Sequence, residues 1–554
     1  MFAQKVGLIF SPTTPRPLSR AENGAPLAPT ISPGGPSRPG EVHEAEGHHE
    51  DDSESISAPG TLAHLVQQIP SLKGPKAYFR PTPWLNTSHF QTCYPVLNND
   101  GIENHDIVVY QRKLIRVPDG GTLALDFAPS LEPALADERF GSIGLKEKGV
   151  DTLVLLHGLT GGAYETYVRN VIAALLQSNQ GREPVAEKAN GHANGGNSRA
   201  EVKTPRRRWR CVVLNARGCG GVVVSTPRLF SAAWTQDLRC GLAFLKSVLN
   251  EDSVLYGIGF SLGANILAKY LGEERGETPL RGAVLIGTPF DLVVGDRSLS
   301  RTFFGKHVYS PAMGSNLVRM FSRHAKIFKD DERIDQEALK KSKTIRDFDG
   351  IITSKLQGYP TVDVSERGEL SLFDLCLPYP QAYYRDGTCS RLLPLIAIPT
   401  LAISALDDPI VATKECLPVD ESLYNPNLVL ATTTGGGHLG WFEGFWSPRR
   451  WVAKPVVDYF NALQAHTDIF GEILPLEMPL YEVPNYQGTA GTTRMLGPQW
   501  QQPGWRPKVG FEEIQESDAT VVAGGNGNGN GNGQPDGQTN AGGKGQHNMK
   551  FAGL

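Results

Sequence analysis

The stretch GIGFSLGANILAKYLGEE, residues 257–274, places Ser261 two positions from a glycine on each side, Gly259 and Gly263. The apolar run SVLYGIGF precedes the serine, and an apolar pattern with helical spacing follows it. A sharp turn from a buried strand into a helix needs small residues around its apex, because strand and helix approach closely there. The stretch therefore predicts a nucleophile elbow with Ser261 at a helix N-terminus. The alternative is a serine in a glycine-rich loop, since the chain has 61 Gly in 554 residues.

The segments around this turn alternate between strand-like and helix-like patterns. Apolar runs of strand length recur as HDIVVYQRKLIRV, TLALDFAP, DTLVLLHG, RCVVLNA, SVLYGIGF, GAVLIGTP, PTLAISAL and NLVLATT. Helical patterns lie between them in YETYVRNVIAALLQ, AAWTQDLRCGLAFLKSVLN and SLGANILAKYLGEE. Such alternation indicates an α/β fold whose central sheet is mostly parallel and flanked by helices on both faces.

Composition divides the chain into a folded centre and polar ends. Pro, Gly, Ser and charged residues dominate the start, and a Gly/Asn repeat dominates the end, so we expect both to be disordered. The predicted parts are a disordered tail over 1–60, a core over 75–465 that contains a loop insertion at 181–207 and a helical cap region at 293–395, a C-terminal extension over 466–520, and a disordered tail over 521–554.

Charge and cysteine content exclude several classes of protein. The net charge of −4 gives no electrostatic basis for binding nucleic acid. The seven cysteines are odd in number and contain no C-x-x-C pair, which argues against a disulfide scaffold or a structural zinc site. No apolar stretch approaches the ~20 residues of a membrane helix, and the N-terminal run is too short for a secretion signal. We therefore expect an intracellular, cytoplasmic protein that is not secreted and has at most peripheral contact with a membrane or lipid droplet.

Reactive groups in this architecture lie beyond the carboxyl ends of the strands. The run DTLVLL is followed by HGLTGG, residues 157–162, a tight turn that can aim the backbone N–H of Leu159 at the serine. Leu262, directly after the serine, would supply a second N–H, and two such donors stabilise the oxyanion of an acyl-transfer reaction. We expect His157 itself to hold the loop rather than to take part in chemistry.

The remaining triad members follow two later strands. Asp407 and Asp408 come after PTLAISAL, and His438 lies in the glycine run after NLVLATT. Ser261, Asp408 and His438 then stand in the chain order of α/β-hydrolases. We choose Asp408 because the proline after it fixes the turn, while Asp407 remains an alternative. His438 would take the proton of Ser261, and an acyl-enzyme would form without a metal or organic cofactor.

With these motifs the chain resembles the AB hydrolase superfamily and, within it, the AB hydrolase 4 family. The resemblance covers about 75–465 and rests mainly on NARGCGG and GFSLGAN, with PWLNTSHFQT, LVLLHGLTGG and ISALDDPI in support. It implies an α/β-hydrolase fold with a Ser261, Asp408, His438 triad. The chain departs from the family core in the insertion, in the extension past residue 465 and in a long segment at 359–380.

The resemblance to fungal medium-chain fatty acid ethyl ester synthase/esterases implies a serine esterase that acts on medium-chain fatty acyl esters, ethyl esters or monoacylglycerols. Transfer of an acyl group from acyl-CoA to ethanol is implied as a second activity. The alternatives are a monoacylglycerol lipase or phospholipase, a dedicated alcohol acyltransferase, and a non-catalytic binding scaffold. Filled triad positions argue against the scaffold.

Overall fold

The computed structural model of the protein describes residues 3–11, 61–97, 106–180, 207–359, 383–411, 414–465 and 510–515. Ten strands form the central sheet. They are β1 Gly7–Ile9, β2 Gln111–Arg116, β3 Thr122–Ala128, β4 Val150–Leu156, β5 Arg208–Asn215, β6 Leu255–Phe260, β7 Leu280–Ile286, β8 Thr400–Ala405, β9 Leu428–Thr433 and β10 Glu512–Ile514.

Besides the sheet, the described residues form thirteen α-helices, none of which is long and apolar enough to span a bilayer. They are α1 Leu62–Gln67, α2 Ser88–Leu97, α3 Thr166–Gln177, α4 Gln236–Val248, α5 Leu262–Glu274, α6 Leu292–Arg301, α7 Ser310–Arg323, α8 Gln336–Lys341, α9 Ile345–Phe348, α10 Ser354–Leu356, α11 Tyr383–Gly387, α12 Val419–Tyr424 and α13 Ala453–Ala465. Two π-helical turns, Gly305–Tyr309 and Asp349–Thr353, interrupt the helices between β7 and β8.

The strand order across the sheet is β10-β2-β3-β5-β4-β6-β7-β8-β9-β1. The six strands from β5 to β9 run parallel, whereas β10, β2, β3 and β1 pair antiparallel at the two sides. Each of the eight apolar runs in the sequence overlaps one of these strands. The predicted α/β class, with a mostly parallel central sheet flanked by helices, is confirmed. Parallel strands share one carboxyl edge, so the loops after β4, β6, β8 and β9 converge.

Both faces of the sheet are buried, which explains why its strands are continuous apolar runs rather than alternating ones. Successive residues of a strand point to opposite faces, so Leu155 joins one core and Val154 joins the other. Helices α1, α3 and α13 cover the first face, and α4 and α5 cover the second. The helix that follows Ser261 is therefore fixed by its own apolar face.

The turn between β6 and α5 is as tight as the glycine pattern predicts. A Cβ added at Gly263 would overlap the carbonyl oxygens of Leu156 and His157, and a Cβ at Gly259 would overlap the backbone of Ala264. Only glycine lets the helix come this close to β4 and β6. The two glycines around Ser261 therefore serve packing as well as backbone conformation.

The segment between β7 and β8 contains helices α6 to α11 and was expected to form the helical cap. Its described residues pack as a third apolar cluster, which includes Met313, Leu317, Met320 and Phe348. The cluster also takes in Leu159 from the loop after β4. The cap is thus packed directly over the carboxyl edge of the sheet.

The two outer strands lie in regions whose residues show no strand pattern. Residues 3–11, assigned above to a disordered tail, instead contribute β1, which pairs with Leu430–Thr432 of β9, and Val6 is buried. Strand β10, from the C-terminal extension, pairs with β2 at the opposite side. Both cover edges that would otherwise leave backbone groups unpaired. Residues 12–60, 181–206 and 516–554, where disorder or an insertion was predicted, lie outside the described residues.

We expect Gly263→Ala to lower the free energy of unfolding by about 1–3 kcal/mol, because the new methyl must displace the β4 backbone. Gly295→Ala is the matched control, since a Cβ there meets nothing within 4 Å and the position is inside α6. It should raise the free energy of unfolding by roughly 0.5–1 kcal/mol. Urea unfolding of both variants measures the difference, and equal shifts of the two would contradict the close approach at the elbow.

Candidate active site

Three side chains from the loops after β6, β8 and β9 meet in one hydrogen-bonded chain. The Nε2 of His438 lies 2.9 Å from the Oγ of Ser261, and its Nδ1 lies 2.8 Å from the Oδ2 of Asp408. All three residues are buried, with at most 6% of their surface exposed. The arrangement gives a serine hydroxyl a base within hydrogen-bonding distance and gives that base a carboxylate that orients it.

The structure distinguishes the two neighbouring aspartates. Besides contacting His438, Asp408 accepts the backbone N–H groups of Ile410 and Val411 on its other oxygen at 2.9 and 3.1 Å. Asp407 points elsewhere and accepts the N–H of Gly437 at 2.9 Å. The imidazole is thus oriented by Asp408, whereas Asp407 holds the backbone of the glycine run that carries His438.

The backbone is strained around the site. Ser261 has φ 51° and ψ −121°, and its N–H donates to the carbonyl oxygen of Ile286 at 2.8 Å. Thr160 in the loop after β4 and Leu439 directly after His438 also have positive φ, at 55° and 54°. Non-glycine residues adopt this region only where the surrounding structure holds them there, and such positions concentrate at active sites.

Two backbone N–H groups are available as oxyanion donors. Leu262 is the first residue of α5, so its N–H has no partner within the helix. Neither this N–H nor that of Leu159 is used in a turn or loop hydrogen bond among the described residues. Both leucines line the same cavity as Ser261. Residues 159 and 262, the two predicted donors, thus lie beside the serine, and the helix dipole of α5 adds positive potential there.

Both ring nitrogens of His157, the first residue of the loop after β4, make structural hydrogen bonds. Its Nδ1 donates to the carbonyl oxygen of Gly158 at 2.7 Å, and its Nε2 accepts the N–H of Ala216 at 3.2 Å. Burial lowers the pKa of His157 to about 4, so the ring stays neutral and keeps one donor and one acceptor. This role matches the loop-holding function expected from the sequence.

The sequence analysis missed the side chains that hold the oxyanion loop. The hydroxyl of Tyr167 accepts the N–H of Gly158 at 2.9 Å, and Asn215 at the end of β5 accepts the N–H of Ala163 at 3.0 Å. Asn215 also donates to Asp126 on β3 at 2.8 Å. Asn215 begins the NARGCGG motif, so its place at a strand end was the one available clue. Tyr167 lies within an ordinary helical pattern, so the sequence offers no clue to its role.

A second missed group holds the histidine loop. The N–H of His438 donates to the hydroxyl of Thr92 at 2.9 Å, and that hydroxyl donates to the carbonyl oxygen of Ser88 at 2.7 Å. The neighbouring Gln91 accepts the N–H of Phe442 at 2.6 Å. Helix α2 therefore positions the proposed base, although 346 residues separate Thr92 from His438.

A cavity of about 580 Å³ opens at Ser261. Apolar side chains from the oxyanion loop, the elbow, the cap and the loop after Asp408 form most of its wall, among them Leu159, Leu262, Leu299, Met313 and Ile410. An apolar cavity that ends at a nucleophile suits the hydrocarbon part of a small ligand. Within the described ranges, no group of three or more His, Cys, Asp or Glu side chains is arranged to hold a metal ion.

Comparison with known proteins found relatives along most of the chain, although no family model matches it. The chain is 29% identical over 439 residues to monoacylglycerol lipase of Saccharomyces cerevisiae, covering 74% of this chain and 86% of that protein. It is 28% identical to phospholipase ABHD3 of Mus musculus, covering 67% and 75%. It is 24% identical to medium-chain fatty acid ethyl ester synthase/esterase 2 of Saccharomyces cerevisiae, covering 71% and 87%.

Similar solved structures include the Pyrococcus furiosus esterase Pf2001 at a TM-score of 0.33 and 15% identity, covering 61% of this chain and 85% of that chain. A proline iminopeptidase of Mycobacterium smegmatis has a TM-score of 0.35 and 13% identity, covering 65% and 100%.

We expect the neutral state of His157 to make folding sensitive to acid. The unfolded ring binds a proton at an ordinary pKa of about 6.5, whereas the folded ring binds one only near pH 4. Stability should therefore be complete above the unfolded pKa and fall as the pH drops from about 6.5 towards 4, by about 2 kcal/mol at pH 5. His157→Gln keeps a donor and an acceptor without a titrating group, so its unfolding free energy should lack this part of the loss. The free energy of unfolding of both proteins is measured by urea unfolding at each pH. If the two curves of free energy against pH ran parallel, a neutral, buried imidazole would be contradicted.

Proposed function

We propose that this chain, a member of the alpha/beta-hydrolase superfamily, hydrolyses carboxylic esters of fatty acids through an acyl-enzyme on Ser261. The observation that carries the proposal is the hydrogen-bonded chain from Ser261 through His438 to Asp408 at a strained elbow. A buried serine, histidine and carboxylate at the carboxyl edge of a parallel sheet have the geometry that acyl transfer needs.

In the proposed reaction the Oγ of Ser261 attacks the ester carbonyl carbon while the Nε2 of His438 takes the hydroxyl proton. The carbonyl oxygen becomes an oxyanion, which the N–H groups of Leu159 and Leu262 stabilise. Collapse of this intermediate breaks the bond to the alcohol oxygen, which receives the proton from His438. Asp408 keeps the Nδ1 proton in place and stabilises the imidazolium. Water then attacks the acyl-enzyme by the same steps and releases the fatty acid.

The substrate class is supported by the cavity and by the relatives. The wall at Ser261 is apolar, which favours a hydrocarbon chain over a polar acyl group. The similar proteins carry the names of a monoacylglycerol lipase, a phospholipase and a medium-chain fatty acid ethyl ester synthase/esterase. We therefore propose medium-chain fatty acyl esters as substrates, with ethyl esters and monoacylglycerols as the first to test.

Acyl transfer to an alcohol is a second candidate activity, supported by the similarity to the ethyl ester synthase/esterase. Ethanol would replace water in the second half of the reaction, and His438 would take the proton of the alcohol instead. The same residues would carry both reactions. The balance between them depends on how well the alcohol competes with water for the acyl-enzyme.

We expect Ser261→Ala to lower kcat on p-nitrophenyl esters by at least about 10³-fold, because the acyl-enzyme cannot form. The wild-type protein should show an optimum along a series of graded acyl lengths. Following free acid and ethyl ester together, with and without ethanol, gives the ratio of hydrolysis to transfer. Unchanged turnover in the variant would show that Ser261 is a loop serine, and circular dichroism checks that the variant is folded.

The adjacent aspartates provide a matched pair for the triad acid. Asp408→Asn should lower kcat by about 10³–10⁴-fold, since the amide favours the wrong imidazole tautomer. Asp407→Asn should cost less than about tenfold, because an amide oxygen still accepts the N–H of Gly437. Rates measured at saturating ester would contradict the assignment if Asp407→Asn proved the more damaging change.

A further inference from the structure

The outer part of the cap is strongly basic, although the whole chain has a net charge of −4. Residues 297–329 run from α6 through α7 and contain no Asp or Glu. Over the same stretch the cationic side chains are Arg297, Arg301, Lys306, Arg319, Arg323, Lys326 and Lys329. We call these residues, 297–329, the basic cap segment. An uninterrupted run of one sign within an acidic chain gives this segment its own electrostatic field.

These cations face solvent and form no ion pair with the residues that the structure describes. All seven are exposed, and none forms an ion pair with a described residue. Arg297 and Arg301 on α6, like Arg319 and Arg323 on α7, are four residues apart and lie on one face of their helix. Of the acids that flank the segment, Asp296 points inwards and pairs with Arg346, while Asp330, next to Lys329, is exposed. The outward faces are therefore free to meet negative charge on a partner.

An exposed aromatic pair lies at the turn between the two helices. Phe303 is 71% exposed and Phe304 is 42% exposed. Their rings contact each other at 5.7 Å, and Phe304 also packs on the ring of His89 from α2 at 4.0 Å. The π-helical turn Gly305–Tyr309 follows directly. Exposed phenylalanines flanked by Arg and Lys are typical of segments that rest in the interface of a lipid layer.

The inner faces of the same helices belong to the active site. Leu299 of α6 and Met313 of α7 line the cavity at Ser261, and Leu317 and Met320 line an adjoining cavity of about 460 Å³. The basic cap segment is thus the outer wall of the acyl-binding space. A surface that contacts this segment would lie next to the route by which a hydrocarbon chain reaches Ser261.

We propose that the basic cap segment docks the protein on an anionic phospholipid surface, with Phe303 and Phe304 inserted among the headgroups. The cations contact lipid phosphates and carboxylates, and the phenyl rings leave water for the acyl boundary. This docking proposal rests on the proposed function and deepens it, because it names a lipid layer as the source of the ester. Charge complementarity argues for an anionic layer, and the phenylalanine pair argues for a lipid layer over a nucleic acid.

Binding is measured separately from catalysis by using the full chain with Ser261→Ala. This protein is mixed with phosphatidylcholine vesicles, with or without phosphatidylserine, and floated through a density gradient. We expect it to float with the phosphatidylserine vesicles, to stay behind with phosphatidylcholine alone, and to be released by high salt, which screens the cations.

Three variants of the segment and one matched control test the assignment. Phe303→Ser with Phe304→Ser, Arg297→Glu with Arg301→Glu, and Arg319→Glu with Arg323→Glu should each lower vesicle partitioning by about tenfold or more. Leu135→Ser with Lys246→Glu changes the same kinds of exposed residue at the opposite end of the sheet and should not alter partitioning. When the same substitutions are made in the protein that retains Ser261, the active site stays intact. Hydrolysis of a dispersed short ester should therefore be unchanged in all of these variants.

Failure of docking is distinguishable from failure of the proposed function. Equal flotation with both kinds of vesicle, or an equal loss in the control and the segment variants, would overturn docking and leave ester hydrolysis standing. Retention on a single-stranded DNA resin at physiological salt, without flotation, would assign the cations to a different polyanion. Flotation of a chain that hydrolyses no ester would support docking and remove the proposed activity.

Discussion

The close approach of α5 to the sheet is the constraint on which the site depends. Helix α5 begins at Leu262, so Ser261 must turn the chain through a positive φ, and its N–H is tied to Ile286 on β7. Any side chain larger than the hydrogen atom of glycine would not fit at Gly259 or Gly263. Packing of α5 against the second face of the sheet, through residues such as Leu267 and Leu271, supplies the free energy that holds this strained turn. The hydroxyl and the helix N-terminus are thereby presented on the same side.

The other members of the site are held by hydrogen bonds to backbone rather than by apolar packing alone. Thr92 fixes the loop of His438, Asp407 fixes its glycine run, and Tyr167 fixes the loop that carries Leu159. Loops rich in glycine have little intrinsic preference for one conformation. Polar anchors from distant elements therefore decide their shape. Thr92 and Tyr167 are buried where water does not compete with them, and Asp407 is half-buried.

This division explains what the sequence could and could not predict. The elbow, the strand runs and the order of Ser261, Asp408 and His438 are local patterns, and they follow from period, glycine placement and chain order. The contact of Thr92 with His438 joins residues 346 positions apart, and no local pattern contains that information. Strand β1 escaped prediction for a different reason. It has only three residues and lies beside a low-complexity tail, and its conformation comes from pairing with the edge of β9.

Substrate preference has a different structural origin from the chemistry. Asn265, buried on α5, bonds the carbonyl oxygen of Gly387 and the N–H of Cys389, and Lys269 bonds the carbonyl oxygen of Asp386. The end of the cap is thereby attached to the helix that starts at the nucleophile. Part of the cavity wall, however, comes from apolar residues of α6 and α7 such as Leu299 and Met313, whose size can change without disturbing those anchors. One arrangement of serine, histidine and aspartate can then be combined with cap residues of different size. The cap is accordingly the part of the chain whose residues must be varied to test which ester the proposed reaction uses.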